Sequence, residues 1–144
     1  MKVDLFLAEY AHVTNDGRVN ALGLGWSRVT TPLPQQSVVI AFELDEGLES
    51  ASTELEVWLG IFDADGVQVD FGDAPFEFEG LITIMGEPGK RPKVPQRVFN
   101  ALNIQPGMPL DPGVYEYRLS VSGVVKAAAR FEVVEPVQDH ELAL

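Results

Sequence analysis

The chain has no cysteine and only two histidines, His12 and His140, among its 144 residues. The first absence excludes disulfides, thiolate zinc sites and cysteine nucleophiles. The second leaves little material for a Ser-His-acid triad, and no nucleophile-elbow sequence is present. Cations are missing from a long stretch. Between Arg28 and Lys90 there is no lysine, arginine or histidine, although thirteen of the 22 acidic residues fall there. No apolar run approaches the roughly 18 residues that a membrane-crossing helix needs. Asp4 and Glu9 interrupt the opening residues, so these do not read as a signal peptide, and the expected location is cytoplasmic.

What is present is acidic and oily at once. The net charge is -12, with hydrophobic residues at 46%, a combination that excludes disorder and supports a sizeable core. Nucleic acid and anionic membranes both need clustered lysine and arginine, so neither is expected as a partner. A single domain over 1–136 with a frayed tail over 137–144 is the expected organisation.

The dominant periodicity is two. Leu55, Val57, Leu59 and Ile61 alternate with Glu54, Glu56, Trp58 and Gly60, and Phe76 and Phe78 alternate with Glu77 and Glu79. Tyr115, Tyr117, Leu119 and Val121 alternate with Glu116, Arg118, Ser120 and Ser122. Each pattern reads as a strand with one face on a core and the other in water. Further strands are predicted over 3–13, 18–26, 37–46, 67–71, 81–85, 97–104 and 124–134, with 97–104 also readable as a short helix. Asn15-Asp16-Gly17, Asp63-Ala64-Asp65-Gly66 and Ser122-Gly123 supply residues that tolerate positive φ in tight hairpins. The predicted fold is therefore all-β: an antiparallel two-sheet sandwich, immunoglobulin-like, of eight or nine strands.

Three groups of side chains are candidates for function. Lys90, Arg91, Lys93 and Arg97 lie within eight positions of a proline-rich stretch and form a candidate basic interaction loop. Glu43, Asp45, Glu54, Glu56, Glu77 and Glu79 take outward positions on predicted strands and form a candidate acidic face, provided that those strands share a sheet. Asp63, Asp65, Asp70 and Asp73 offer hard oxygen ligands around one hairpin and suggest Ca²⁺ as an alternative, although their spacing departs from that of an EF-hand. No other cofactor is implied. Glu9 shares parity with Val3, Leu5 and Leu7, which predicts a bulge or an edge there.

Ala8-x-Tyr10-Ala11 through Asp16-Gly17-Arg18 to Leu22-Gly23-x-Gly25-Trp26, with Pro32 and Pro34, resembles the start of an uncharacterised family of small bacterial proteins. Leu110-x-Pro112-Gly113-x-Tyr115-x-Tyr117-Arg118-Leu119 resembles the closing hairpin of that family, and its Pro-Gly-x-Tyr run also resembles the approach to a late strand in immunoglobulin-like sandwiches. The resemblance implies a corner role for Tyr115, its ring in the core and its hydroxyl on nearby backbone. It implies no catalytic residue. The functional expectation is a non-catalytic protein-interaction or structural module, not an enzyme, that binds a protein partner or itself. A Ca²⁺-binding C2-like module and a hydrolase are the alternatives.

Overall fold

A computed structural model describes residues 1–44, 53–72, 74–85 and 94–137. Ten strands run through them: β1 (Lys2–Ala8), β2 (Tyr10–Val13), β3 (Val19–Leu22), β4 (Arg28–Thr30), β5 (Gln36–Glu43), β6 (Thr53–Asp63), β7 (Glu77–Ile84), β8 (Arg97–Ile104), β9 (Gly113–Val121) and β10 (Val124–Val134). They form a five-stranded sheet in the order β4-β10-β9-β6-β7, a three-stranded sheet β1-β5-β8 and a ribbon β2-β3. The all-β class is as the alternation predicts, and no helix occurs among the described residues.

Burial of alternate side chains drives the layering. Val38, Ile40 and Phe42 of β5 meet Leu55, Val57, Leu59 and Ile61 of β6 and Tyr117, Leu119 and Val121 of β9 in one core. A second, smaller core lies on the other side of the three-stranded sheet. There Ala8, Ala11 and Val39 pack with Val19, Ala21, Phe99 and Ala101, so that the ribbon caps the sheet. β5 therefore packs on both faces, which explains why its residues from Gln36 to Ile40 are all buried rather than alternating.

The ribbon is held by an unusual device. The Asn103 side chain donates through Nδ2 to the Ala11 carbonyl at 2.9 Å and accepts from the Ala11 N–H at 3.2 Å. A side-chain amide thus takes the place of a neighbouring strand.

Several local expectations are corrected. The stretch 3–13 is two strands, because Glu9 forms a bend and turns outward, its N–H donating to the Leu22 carbonyl at 2.8 Å. The alternating run from Phe76 to Glu79 and the predicted strand 81–85 merge into β7, since Gly80 continues the ladder opposite Val57. Residues 67–71 make only isolated bridges, Phe62 with Gln68 and Asp70 with Pro75. Residues 97–104 form a strand as predicted, not the alternative short helix, with ladder pairing to β5 along its full length. The β9–β10 hairpin closes as predicted on Ser122 (φ 50°) and Gly123 (φ 81°), a two-residue turn whose twist suits the flanking strands.

Candidate functional site

The outer face of the five-stranded sheet carries the most distinctive chemistry. Strand pairing sets Glu54 opposite Thr83, Glu56 opposite Leu81, Trp58 opposite Glu79 and Gly60 opposite Glu77. No carboxylate faces another directly across the ladder. Like charges in directly opposed positions repel, and this register spreads the four along the strand axis. The result is a row with one carboxylate per two-residue step, first on β6 and then on β7. Steps of about 6.8 Å give a row about 20 Å long. Among the described residues none of these four glutamates is paired with a cation.

Trp58 stands in the middle of the row. Its indole N–H donates to Glu77 Oε2 at 2.9 Å, which draws the ring along β6 toward Gly60. Glycine leaves room for the ring in this position, because a Cβ there would clash with Trp58 Cη2. The ring meets Phe62 edge-on at 6.0 Å, and the Arg118 guanidinium lies 4.2 Å from the Phe62 ring centre. Arg118 is itself held by Glu116, Nε to Oε1 at 3.6 Å. With the indole laid down on Gly60, space opens on its other side. That groove of about 680 Å³ is bordered by Glu56, Val57, Trp58, Glu79, Gly80, Leu81, Ser120 and Gly123. It offers carboxylates, a hydroxyl, an aromatic wall and an aliphatic side chain.

The expected acidic face divides. Glu54, Glu56, Glu77 and Glu79 share one sheet face, whereas Glu43 lies on the three-stranded sheet in register with Lys2 on one side and Arg97 on the other. Asp45 lies outside the described residues. The expected basic loop does not come into view as a unit, since Lys90, Arg91 and Lys93 lie outside the described residues and Arg97 opens β8. Of the candidate calcium ligands, Asp63 is engaged by its own hairpin, where Oδ1 accepts from the N–H groups of Asp65 at 2.9 Å and Val67 at 3.0 Å. Asp65 is exposed at the turn tip, Asp70 is exposed beside it, and Asp73 lies outside the described residues. Among the described residues no group of three or more acidic or histidine side chains is placed to hold a metal ion. His12 is exposed on the ribbon opposite Asn20.

Trp58, Gly60, Leu81 and Ser120 were not singled out as site residues from sequence. The available signal was a tryptophan in a water-facing position after Glu54 and Glu56, followed two residues later by glycine. Tyr115 donates its hydroxyl to the Asp111 carbonyl at 2.7 Å and stacks on Phe131 at 5.8 Å. Burial, and then the negative charges of Asp111 and Asp63, push its hydroxyl pKa up. Tyr117 is fully buried, donates to Gln36 Oε1 at 2.7 Å, and has its pKa raised by burial.

No family model matches the sequence, and no curated protein does. Among solved structures, Pseudomonas fluorescens alkylpurine DNA glycosylase AlkC bound to DNA containing an abasic site analog is similar over 92% of this chain, with 14% identity and a TM-score of 0.47. The chain spans 30% of the length of that protein. The neighbour is an enzyme on DNA, which runs against three expectations from the sequence: a non-catalytic interaction module, the absence of enzymatic activity, and a partner list without nucleic acid. The physical weakness of those expectations is plain. Net charge averages over the whole chain and is silent about local patches; Arg130 and the Arg28–Glu132 pair (2.8 Å) sit on β10 and β4, away from the glutamate row. Missing motifs exclude only the chemistries that use those motifs. At this TM-score the likeness assigns neither activity nor DNA binding to this chain. No helix among the described residues is long and apolar enough to cross a membrane.

Proposed function

We propose that the groove beside Trp58 binds a linear organic cation of the polyamine type. The observation that carries this reading is the row Glu54, Glu56, Glu79, Glu77, spaced by strand pairing at a regular step and left without cationic partners among the described residues. The extended tetramethylene spacer of a linear polyamine is close in span to that step, and flexible glutamate side chains can lean in to meet the ends of the shorter trimethylene spacer, so successive ammonium groups can meet successive carboxylates. Trp58 adds an aromatic surface, indole being the best of the aromatic rings for a cation, and Leu81 gives the methylene spacers an apolar contact. Glu77 and Gly60 hold the indole in place before any ligand arrives, which lowers the ordering cost of binding.

Titration calorimetry with spermidine, against propylamine and Mg²⁺ at matched ionic strength, tests the reading. Spermidine should bind at least about tenfold more tightly than either control, and E56Q/E79Q should remove most of that advantage. No saturable binding of spermidine, or equal displacement by Mg²⁺, overturns it.

An immunoglobulin-like sandwich is the finer reading of the fold under the same proposal. It is supported by the core shared between the five- and three-stranded sheets and by the Tyr115 hydroxyl on the Asp111 backbone.

A further inference from the structure

Beside β4, the edge of the five-stranded sheet farthest from β7, lies a small cleft that the groove does not involve. Its inner part, about 120 Å³, is lined by Glu9, Trp26, Arg28, Val29, Leu33, Pro34, Gln35 and Gln36. It adjoins a wider depression of about 520 Å³, which shares Glu9, Pro34 and Gln35 and adds Tyr10 and Leu22. Gln36 is 2% exposed. Its Oε1 accepts the Tyr117 hydroxyl, so the amide is oriented, and its Nε2 reaches only the thioether of Met108 at 3.9 Å. A carboxamide nitrogen has two N–H donors and a thioether is a weak acceptor. The inner cleft is therefore bordered by a buried amide whose nitrogen meets only a weak acceptor among the described residues.

The mouth is the complement. The Glu9 carboxylate has no partner among the described residues, and its side chain lies against Gly23, where a Cβ would come within 2.6 Å. Arg28 uses Nε on Glu132 at 2.8 Å and keeps other N–H donors of its guanidinium. Trp26 is already committed through its N–H to the Ala8 carbonyl at 2.9 Å and serves as a wall. Tyr10 and Leu22 are exposed apolar groups beside this mouth.

The geometry points to a second binding site, for a small α-amino acid with an apolar side chain. Its carboxylate accepts from Gln36 and Arg28, its ammonium meets Glu9, and its side chain lies on Tyr10 and Leu22. The inner volume admits only a few heavy atoms, which restricts that end to the amino-acid head.

Calorimetry and the indole N–H resonance of Trp26 test this with three probes: leucine, leucinamide (no carboxylate) and 4-methylpentanoate (no amine). Leucine should bind saturably in the millimolar range or tighter, each truncated probe should be about tenfold weaker or more, and the Trp26 resonance should shift. E9Q should weaken leucine by a similar factor and leave 4-methylpentanoate unchanged, while E56Q/E79Q in the groove should leave leucine binding unchanged. Because Glu9 is exposed, E9Q keeps the fold and the test stays decisive; R28Q gives an independent second variant, expected to weaken 4-methylpentanoate as well. Equal affinity for leucine and 4-methylpentanoate, full leucine binding by E9Q, or no saturable binding overturns the assignment.

Discussion

The Trp58 indole rests on the backbone of Gly60, two residues further along β6, so closely that a single added methyl would clash with the ring. This contact fixes where the aromatic wall stands and where the groove opens. Gly60→Ala should therefore lift the ring, break its hydrogen bond to Glu77 and narrow the groove. Overpacking of this kind costs about 1–3 kcal/mol, and the partly open site places the expected loss at the low end, about 1 kcal/mol. A shift in tryptophan emission together with chemical denaturation checks both parts. An unchanged spectrum and midpoint would mean that the ring has somewhere else to go.

Asn103 and Ala11 join the ribbon to the three-stranded sheet by two hydrogen bonds through one side chain. Asn103→Ala should cost about 1–3 kcal/mol, at roughly 0.5–1.5 kcal/mol per bond. It should also speed amide exchange in β2 and β3 more than in β9. Exchange measured residue by residue separates this local loosening from a global loss. The single lever is the side-chain amide, so Asn103→Asp should recover only the half that accepts from Ala11.

Tyr117 and Gln36 form a buried pair with the Tyr117 hydroxyl as donor. Tyr117→Phe leaves Gln36 Oε1 buried without its donor and should cost about 1–3 kcal/mol. Gln36→Met removes the acceptor and should cost a comparable amount. Since the two share one bond, the double variant should be less destabilised than the sum, with a coupling of about 0.5–3 kcal/mol. Additive losses in urea denaturation would show that the hydrogen bond contributes little.

Alkali should also weaken the fold. The hydroxyls of Tyr117 and Tyr115 both have raised pKa values, in each case chiefly from burial. Above about pH 10, the ordinary tyrosine value, the unfolded chain loses these protons while the folded chain retains them. The stabilisation that burial gives the neutral hydroxyls is thus complete below about pH 10 and declines as pH rises through the folded-state values. Denaturation midpoints should be level with respect to these groups from pH 8 to about pH 10 and fall beyond it, and tyrosinate absorbance should lag behind that of the unfolded chain.

Much of the layering was legible because alternation is a local property. Leu55, Val57, Leu59 and Ile61 point inward, and Glu54, Glu56 and Trp58 outward, simply because successive side chains leave a strand on opposite faces. The same rule failed at β5, where Val39 belongs to an inward set for the ribbon rather than an outward set for water. No run of eight residues records that a second layer will cover its other face. Residues 67–71 failed for a related reason: their alternation is strand-like, yet their place after the Asp63–Gly66 turn leaves them only isolated bridges.

The amino-acid sequence by itself determined the all-β class, the Ser122-Gly123 hairpin and the outward sense of Glu54, Glu56, Glu77 and Glu79. Each depends on neighbours no more than a few residues apart. Only the tertiary structure decided which strands lie side by side, and with that the single row of four glutamates, the separation of Glu43 from them and the seat of Trp58 on the sheet. Register is a relation between segments distant in sequence. It follows from how the two cores fill, and no local pattern encodes it.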